Sequence, residues 1–359
     1  MELSTLKLLS NNVLVVRVAI LLTVLAVTPV RARPKLDVLV MNNGDRLTCE
    51  IKKLQFGQLH VKIDYTIGTV IIDWEKVRSI ESPQRFVLEN ASGAYRTGVL
   101  REKEETEPSS PRRLEIVEGD VASEMEAQEV VWIGQLERNF VGKLTTKIDY
   151  GFTFSRANSQ IQSTLNGSLE YHSEKRRIGA SVSSLFAGQS DGTDTNRHNA
   201  SASYFRYIGR KWLAGALSDF LTSDQQRLDL RTTLGSAVGR RFINTNRNTL
   251  SALGGAVWNR EQFTPESGRV PVRNNGEALF GLEYSTFRFD SSEFVSTLMV
   301  FPSLTDAGRL RLNLDMSIYW DIVGDLYWRV SAFENFDSRP PAATPRNDFG
   351  VTTSIGWSF

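Results

Sequence analysis

The sequence predicts an all-β protein, a C-terminal antiparallel transmembrane β-barrel of about twelve strands preceded by a small duplicated β module. Three observations predict it. From Asn139 to Phe359 apolar and polar residues alternate more cleanly than they follow any helical period. The alternating segments are long and evenly spaced, with short and long connections taking turns. Before them, short β-branched runs sit between tight turn residues. Lys and Arg number 42 against 41 Asp and Glu, so the net charge of +1 offers nothing to hold a polyanion, and nucleic acid is excluded as a partner. One cysteine, Cys49, permits no internal disulfide, and with three histidines no metal cluster of ordinary spacing assembles. No cofactor and no metal are expected.

Residues 1–32 read as a cleaved signal peptide: Lys7 and Arg17, an apolar run from Val18 to Val27, then small residues up to Ala32. An uncleaved anchor is the competing reading, against which stand the shortness of Val13–Val27 and the charge of Arg17 within it. Residues 36–133 form the small module. Val38-Leu39-Val40 with Gly44 is echoed by Phe86-Val87-Leu88 with Gly93, Leu59-His60-Val61 by Leu114-Glu115-Ile116, and Lys76–Ile80 by Glu129–Ile133. Between the copies, residues 101–113 are charged and Pro-rich, which suits a loop. His60 and Cys49 read as ordinary strand residues, since neither has a partner motif.

In the barrel, residues 139–359, the clearest strand is Arg309–Ile322: Leu310, Leu312, Leu314, Met316, Ile318, Trp320 and Ile322 share one face, and polar residues the other. Strands are expected near 143–155, 160–172, 176–187, 199–208, 211–222, 226–239, 248–258, 276–289, 293–302, 309–322, 325–335 and 348–359. Most links after even-numbered strands are tight, as at Ser173-Glu174-Lys175, while several after odd-numbered ones, at Gly188–His198, Asn259–Asn275 and Phe336–Asn347, are long. An even count returns both barrel ends to the tight-turn side, which would place the module in the periplasm of a Gram-negative cell. Val351, Thr353, Ile355, Trp357 and Phe359 alternate to a terminal aromatic, which resembles the signal that outer-membrane proteins show to the barrel-assembly machinery. Tyr171, Trp212, Trp258, Trp320 and Trp328 suit interfacial girdles against the outer-membrane lipid.

Tyr204–Ile208, Arg210–Leu213 and above all Asp224–Arg231 (Asp-Gln-Gln-Arg-Leu-Asp-Leu-Arg) resemble motifs of the YdiY-like family, described as salt-induced outer membrane proteins of unknown function. Ser155–Ser159 is similar to that family's first loop, with Ala157 where Gly is usual, and Ala237-Val238-Gly239 is a weaker form of its Gly-rich strand end. The resemblance covers roughly residues 132–359 and implies an outer-membrane barrel without established activity.

With the apolar sets facing lipid, Lys147, Asp149, Arg227, Asp229, Arg231, Glu277, Glu283, Arg311, Asp315, Asp321 and Arg329 would line the lumen. Mixed signs fit either a narrow pore or a filled interior. Asp229 and Arg231, two apart on one strand, are the expected centre of a lumen network. The reading is therefore an envelope barrel of unknown specific activity, a narrow channel or a stress-response protein. One alternative is a barrel-anchored module that binds peptidoglycan or a periplasmic protein. The other is a rim enzyme: His198 beside the Asp- and Thr-rich loop 190–196 is its only rim candidate, His172 at the periplasmic turn is a lesser one, and no spacing motif supports catalysis. No catalytic residue is assigned.

Overall fold

The structure, a computed structural model, describes residues 35–66, 68–101, 112–136, 144–155, 160–189, 195–264, 271–288, 292–323, 325–340 and 345–358. The expected signal peptide, most of the charged loop and Phe359 lie outside the described residues.

The module comprises β1 (Asp37–Met41), β2 (Arg46–Gln55), β3 (Gln58–Lys62), β4 (Val70–Asp73), a 3₁₀ turn (Trp74–Lys76), β5 (Val77–Asn90), β6 (Tyr95–Arg101), β7 (Arg113–Glu118), β8 (Val121–Glu126), a second 3₁₀ turn (Ala127–Glu129) and β9 (Val130–Gln135). Four strands, a 3₁₀ turn and a strand thus occur twice, the first half of β5 ending one run and its second half opening the next. The sheet order is β4-β3-β2-β1-β5-β6-β7-β8, and β9 bridges β2 and β5. Both long strands bend to serve three partners, β2 pairing with β1, β3 and β9, and β5 with β1, β6 and β9. β2 has a bulge between Ile51 and Lys53, and β5 has one between Ser82 and Arg85, where Pro83 has no ladder hydrogen bond to give.

Buried polar groups hold these bends. Asp37 is fully buried, accepting the Ile51 N–H at 2.6 Å and the Ser82 hydroxyl, while the Gln135 amide donates to the Ile51 carbonyl. Each supplies a partner that the bulge removes from the ladder. Around them lies one apolar core that includes Leu39, Ile51, Leu59, Val61, Trp74, Phe86, Leu88, Leu100, Leu114 and Ile116. The two 3₁₀ turns meet within it, where the Trp74 indole N–H donates to the Ala127 carbonyl at 2.7 Å.

The second unit is a closed barrel of twelve antiparallel strands. These are β10 (Leu144–Ser155), β11 (Gln160–His172), β12 (Arg176–Gln189), β13 (Thr195–Tyr207), β14 (Trp212–Ser223), β15 (Leu228–Asn244), β16 (Asn248–Phe263), β17 (Val272–Arg288), β18 (Ser292–Pro302), β19 (Leu310–Val323), β20 (Leu326–Asp337) and β21 (Asn347–Ser358). Parity decides what faces outward. On β17 Phe280 is 59% exposed while Glu277 is fully buried, and on β19 Ile322 is 55% exposed while Arg311 is 1% exposed. Apolar-out and polar-in is the pattern of a barrel whose solvent is lipid. Strands β15 to β17 run further than alternation alone indicates, so the connection expected at Asn259–Asn275 shrinks to the residues between Phe263 and Val272. Closure is through β21 and β10, paired over Tyr150–Ile355 to Lys147–Ser358. No helix among the described residues is long and apolar enough to cross a membrane.

Candidate functional site

The module sits on the barrel end that carries the turns at 173–175, 208–211 and 245–247. At the tip of the β2–β3 hairpin, Phe56 adopts a left-handed backbone (φ 58°) and stacks on Phe287 at 3.6 Å between ring centroids. Phe287 is an inward residue of β17, so the hairpin tip enters the lumen mouth. Gly93 (φ +77°) lies so close to the Arg210 carbonyl that a Cβ there would overlap it. Asn246 donates to the Val130 carbonyl at 2.9 Å, and Arg247 pairs with Glu75 at 3.1 Å.

The tightest joint is Glu89 of β5, 1% exposed. It accepts from Tyr95 of its own unit at 2.8 Å and, from the barrel, from Arg241 at 2.5 Å and Asn244 at 3.3 Å. The His172 ring stands 3.6 Å away, edge-on to Trp132 at 4.9 Å. Burial alone would raise the Glu89 carboxyl, but His172 and Arg241 outweigh it and hold it below the ordinary carboxylate value.

Between module and barrel lies a chamber of about 640 Å³, walled by His60, Trp132, Tyr207, Tyr319 and Asp321 among others. Burial and the charges of Lys53 and Lys147 lower His60 to about 3, so its imidazole is neutral at physiological pH. Two ion pairs cross the lumen at this level. Arg177 on β12 reaches Glu283 on β17 at 3.0 Å, and Lys147 on β10 reaches Glu293 on β18 at 2.9 Å. By strand order these partners are five and four places apart in a ring of twelve.

Around the ring the interior is asymmetric. On the β13–β18 wall, Phe205, Leu213, Leu253, Val257, Leu279 and Phe301 pack together inside the barrel. On the opposite wall Asp149 accepts from Asn166 (2.7 Å), Ser354 (2.6 Å) and Arg329 (3.1 Å). At the far end, Arg309, wholly buried, lies between Glu261 (2.8 Å) and Asp337 (2.5 Å). Arg231 shares Glu261 at 2.8 Å, and Arg311 pairs with Glu277 at 2.5 Å. Asp348 of β21 takes Ser223 of β14 at 3.2 Å, five places around the ring.

Among the residues expected to face the lumen, Lys147, Asp149, Arg231, Glu277, Glu283, Arg311 and Arg329 enter these pairs. Asp315 and Asp321 stay exposed, Asp321 at the chamber. Two expectations need correction. Arg227 belongs to the turn between β14 and β15, left-handed (φ 47°) and exposed. Asp229 does not join Arg231: the β15–β16 register shifts between Leu228 and Leu230, so the bulge turns Leu228 inward and leaves Asp229 exposed, accepting from Thr264 at 2.7 Å. His198 hydrogen-bonds Ser184 at 2.8 Å on the outward parity, away from the lumen. Sequence reasoning missed Glu261 and Asp337, placed in loops, and the bracing role of Arg177 and Glu293. Continuing the Val257-Asn259 alternation by one step would have reached Glu261. Among the described residues no group of His, Cys, Asp or Glu is arranged to hold a metal.

No curated protein sequence matches the chain. Among solved structures, the translocator domain of the autotransporter NalP from Neisseria meningitidis is 13% identical, with a TM-score of 0.36 over 60% of this chain and 87% of that one. The NanC porin is 8% identical (TM-score 0.36, 60% and 97%), and the CymD monoaromatic hydrocarbon channel 8% (TM-score 0.30, 60% and 87%). The model of the family described as "Protein of unknown function, DUF481" matches residues 148–359, the whole barrel but its first few residues, and the chain belongs to that family of YdiY-like outer-membrane barrels.

Proposed function

We propose that this protein is a membrane anchor that holds its tandem β module against the periplasmic mouth of a braced, non-conducting barrel. The observation that carries this is the lumen bracing: Arg177–Glu283 and Lys147–Glu293 cross it beside the module, and Arg309 joins Glu261 to Asp337 at the far end. Paired charges of both signs fill space and cancel, whereas a selective pore needs one sign to dominate a constriction. The short turns beside the module support its periplasmic side. A leader over residues 1–32 would bring the chain there. Val351, Thr353, Ile355 and Trp357, outward on β21, together with Phe359 would present it to the assembly machinery. The module is then the working part, offering peptidoglycan or a periplasmic protein its β4 and β8 edges.

A narrow channel is the second reading, favoured by the chamber of about 640 Å³ beneath the module. Planar-bilayer recording of the full chain separates the two. Silence from a heat-modifiable protein is expected, and steady ion-selective steps from the wild type would overturn the anchor reading.

A further inference from the structure

On the outer surface at the module end, Arg176 of β12 and Arg206 of β13 are register partners, side by side on the outward parity and both exposed. Like charges directly opposite on neighbouring strands repel. Neither has a carboxylate partner among the described residues. The positive charge continues along the same arc. Lys175, Arg210 and Lys211 occupy the adjoining turns, and Arg240 of β15 lies over the Trp212 ring at 5.5 Å. Glu174, in the β11–β12 turn, is the one carboxylate among the described outward faces and turns of this end of β12–β15.

Next above the arginines on the outward face stand Ile178 and the exposed Tyr204, which are register partners, and the side chains around them are small. Ala180 pairs with Ala202, and Arg206 and Tyr204 pair with Ala214 and Ala216. Ala214 and Ala216 of β14 thus form a shallow strip between Tyr204 on β13 and the exposed Val238 on β15, with the exposed Trp212 at its foot. Across the barrel the same level carries no outward charge among the described side chains: Trp320 stacks on Trp328 at 4.8 Å, with Trp357 and Ile322 beside them. A guanidinium pair at head-group depth, with an alanine strip flanked by Tyr204 and Val238 at acyl-chain depth, therefore occupies one arc only.

We infer that this arc binds one anionic phospholipid of the module-side leaflet, its phosphate bridging Arg176 and Arg206 and one acyl chain lying on the alanine strip. The phosphate removes the repulsion within the arginine pair and offers oxygens to both planar guanidinium groups. Arg240 and Lys211 extend the attraction to the rest of the head group. The inference rests on the barrel spanning the membrane and not on whether its lumen conducts.

The test is native mass spectrometry of the full chain in detergent, titrated with phosphatidylglycerol or with phosphatidylcholine of the same chains. Heat-modifiability on gels establishes that each variant is folded. The wild type should retain one phosphatidylglycerol in preference to phosphatidylcholine, and millimolar inorganic phosphate should not displace it. Arg176→Gln with Arg206→Gln should weaken that retention about tenfold, and Arg176→Lys with Arg206→Lys should restore part of it. Arg260→Gln, an exposed arginine at the other end of β16, should leave it unchanged. Equal retention of both lipids by the wild type, or an unchanged preference in the Gln double variant, would overturn the site. Displacement by free phosphate would overturn its assignment to a lipid.

Discussion

On β3 of the module, Leu59 and Val61 are fully buried while Gln58, His60 and Lys62 turn away from the core. On β17 of the barrel, Glu277 is the fully buried residue, while Phe280 and Leu282 are 59% and 43% exposed. The two regions share an alternation of period two and differ in which face finds water. The module has enough short strands to fold around its own apolar face. The barrel closes around its polar one, and its apolar face needs lipid. Stability in the module therefore comes from transfer and packing of apolar groups, whereas inside the barrel it depends on every buried charge having a partner.

The largest expected effect lies where that dependence is strongest. Arg309→Ala removes the cation shared by Glu261 and Asp337, leaving Glu261 with Arg231 alone and Asp337 without its partner. A cost of about 3–5 kcal/mol is expected, read from urea unfolding in lipid vesicles. Next comes a matched pair of leucines. Leu59→Ala should destabilise the module by about 2–5 kcal/mol, whereas Leu282→Ala on the lipid face leaves no closed cavity and should cost far less in the same assay. Equal losses at Leu59 and Leu282 would show that the barrel surface meets something other than lipid.

The joint between the two regions should be acid-sensitive. The Glu89 carboxyl is held below its ordinary value of 4.5, so its stabilisation is complete above that value and is lost as pH falls through its lower folded value. His60 is lowered from 6.5 to about 3, so the unfolded chain binds the proton first, and stability falls as pH drops across that window. Both slopes have the same sign. Glu89→Gln should weaken docking by about 1.5–3 kcal/mol and remove the lower limb of the profile, while His60→Gln should flatten the upper limb. Protease release of the module, followed against pH, reads both.

The fold was legible because parity survives in a single sequence: Leu310 to Ile322 against Arg309 to Asp321 is a strand whatever surrounds it. Where parity breaks, the sequence is silent. The bulge at Asp229 shifts register by one residue through backbone geometry that no side chain announces, and it moves Asp229 out of the network where spacing had put it. Cross-lumen partners such as Arg177 and Glu283 are remote in sequence and meet only because the ring closes. Glu89 looks like one more strand carboxylate until Arg241, far along the chain, reaches it.

The smallest effect is expected from a pair chemically like the buried ones. Arg113 and Glu124 meet at 3.1 Å across β7 and β8, with side chains 49% and 40% exposed. Arg311 and Glu277 meet at 2.5 Å with 2% and 0% exposed. Water already solvates the first pair, so its attraction is screened and partly offset by the entropy of holding two long side chains. Arg113→Ala should change stability by no more than about 0.5 kcal/mol, and that little should vanish at high salt. In the second pair water has been removed from both charges, and Arg311→Ala strands Glu277, so its cost should persist in salt. A salt-dependent loss at Arg311 would mean that water reaches this end of the lumen, and the bracing would then be a gate.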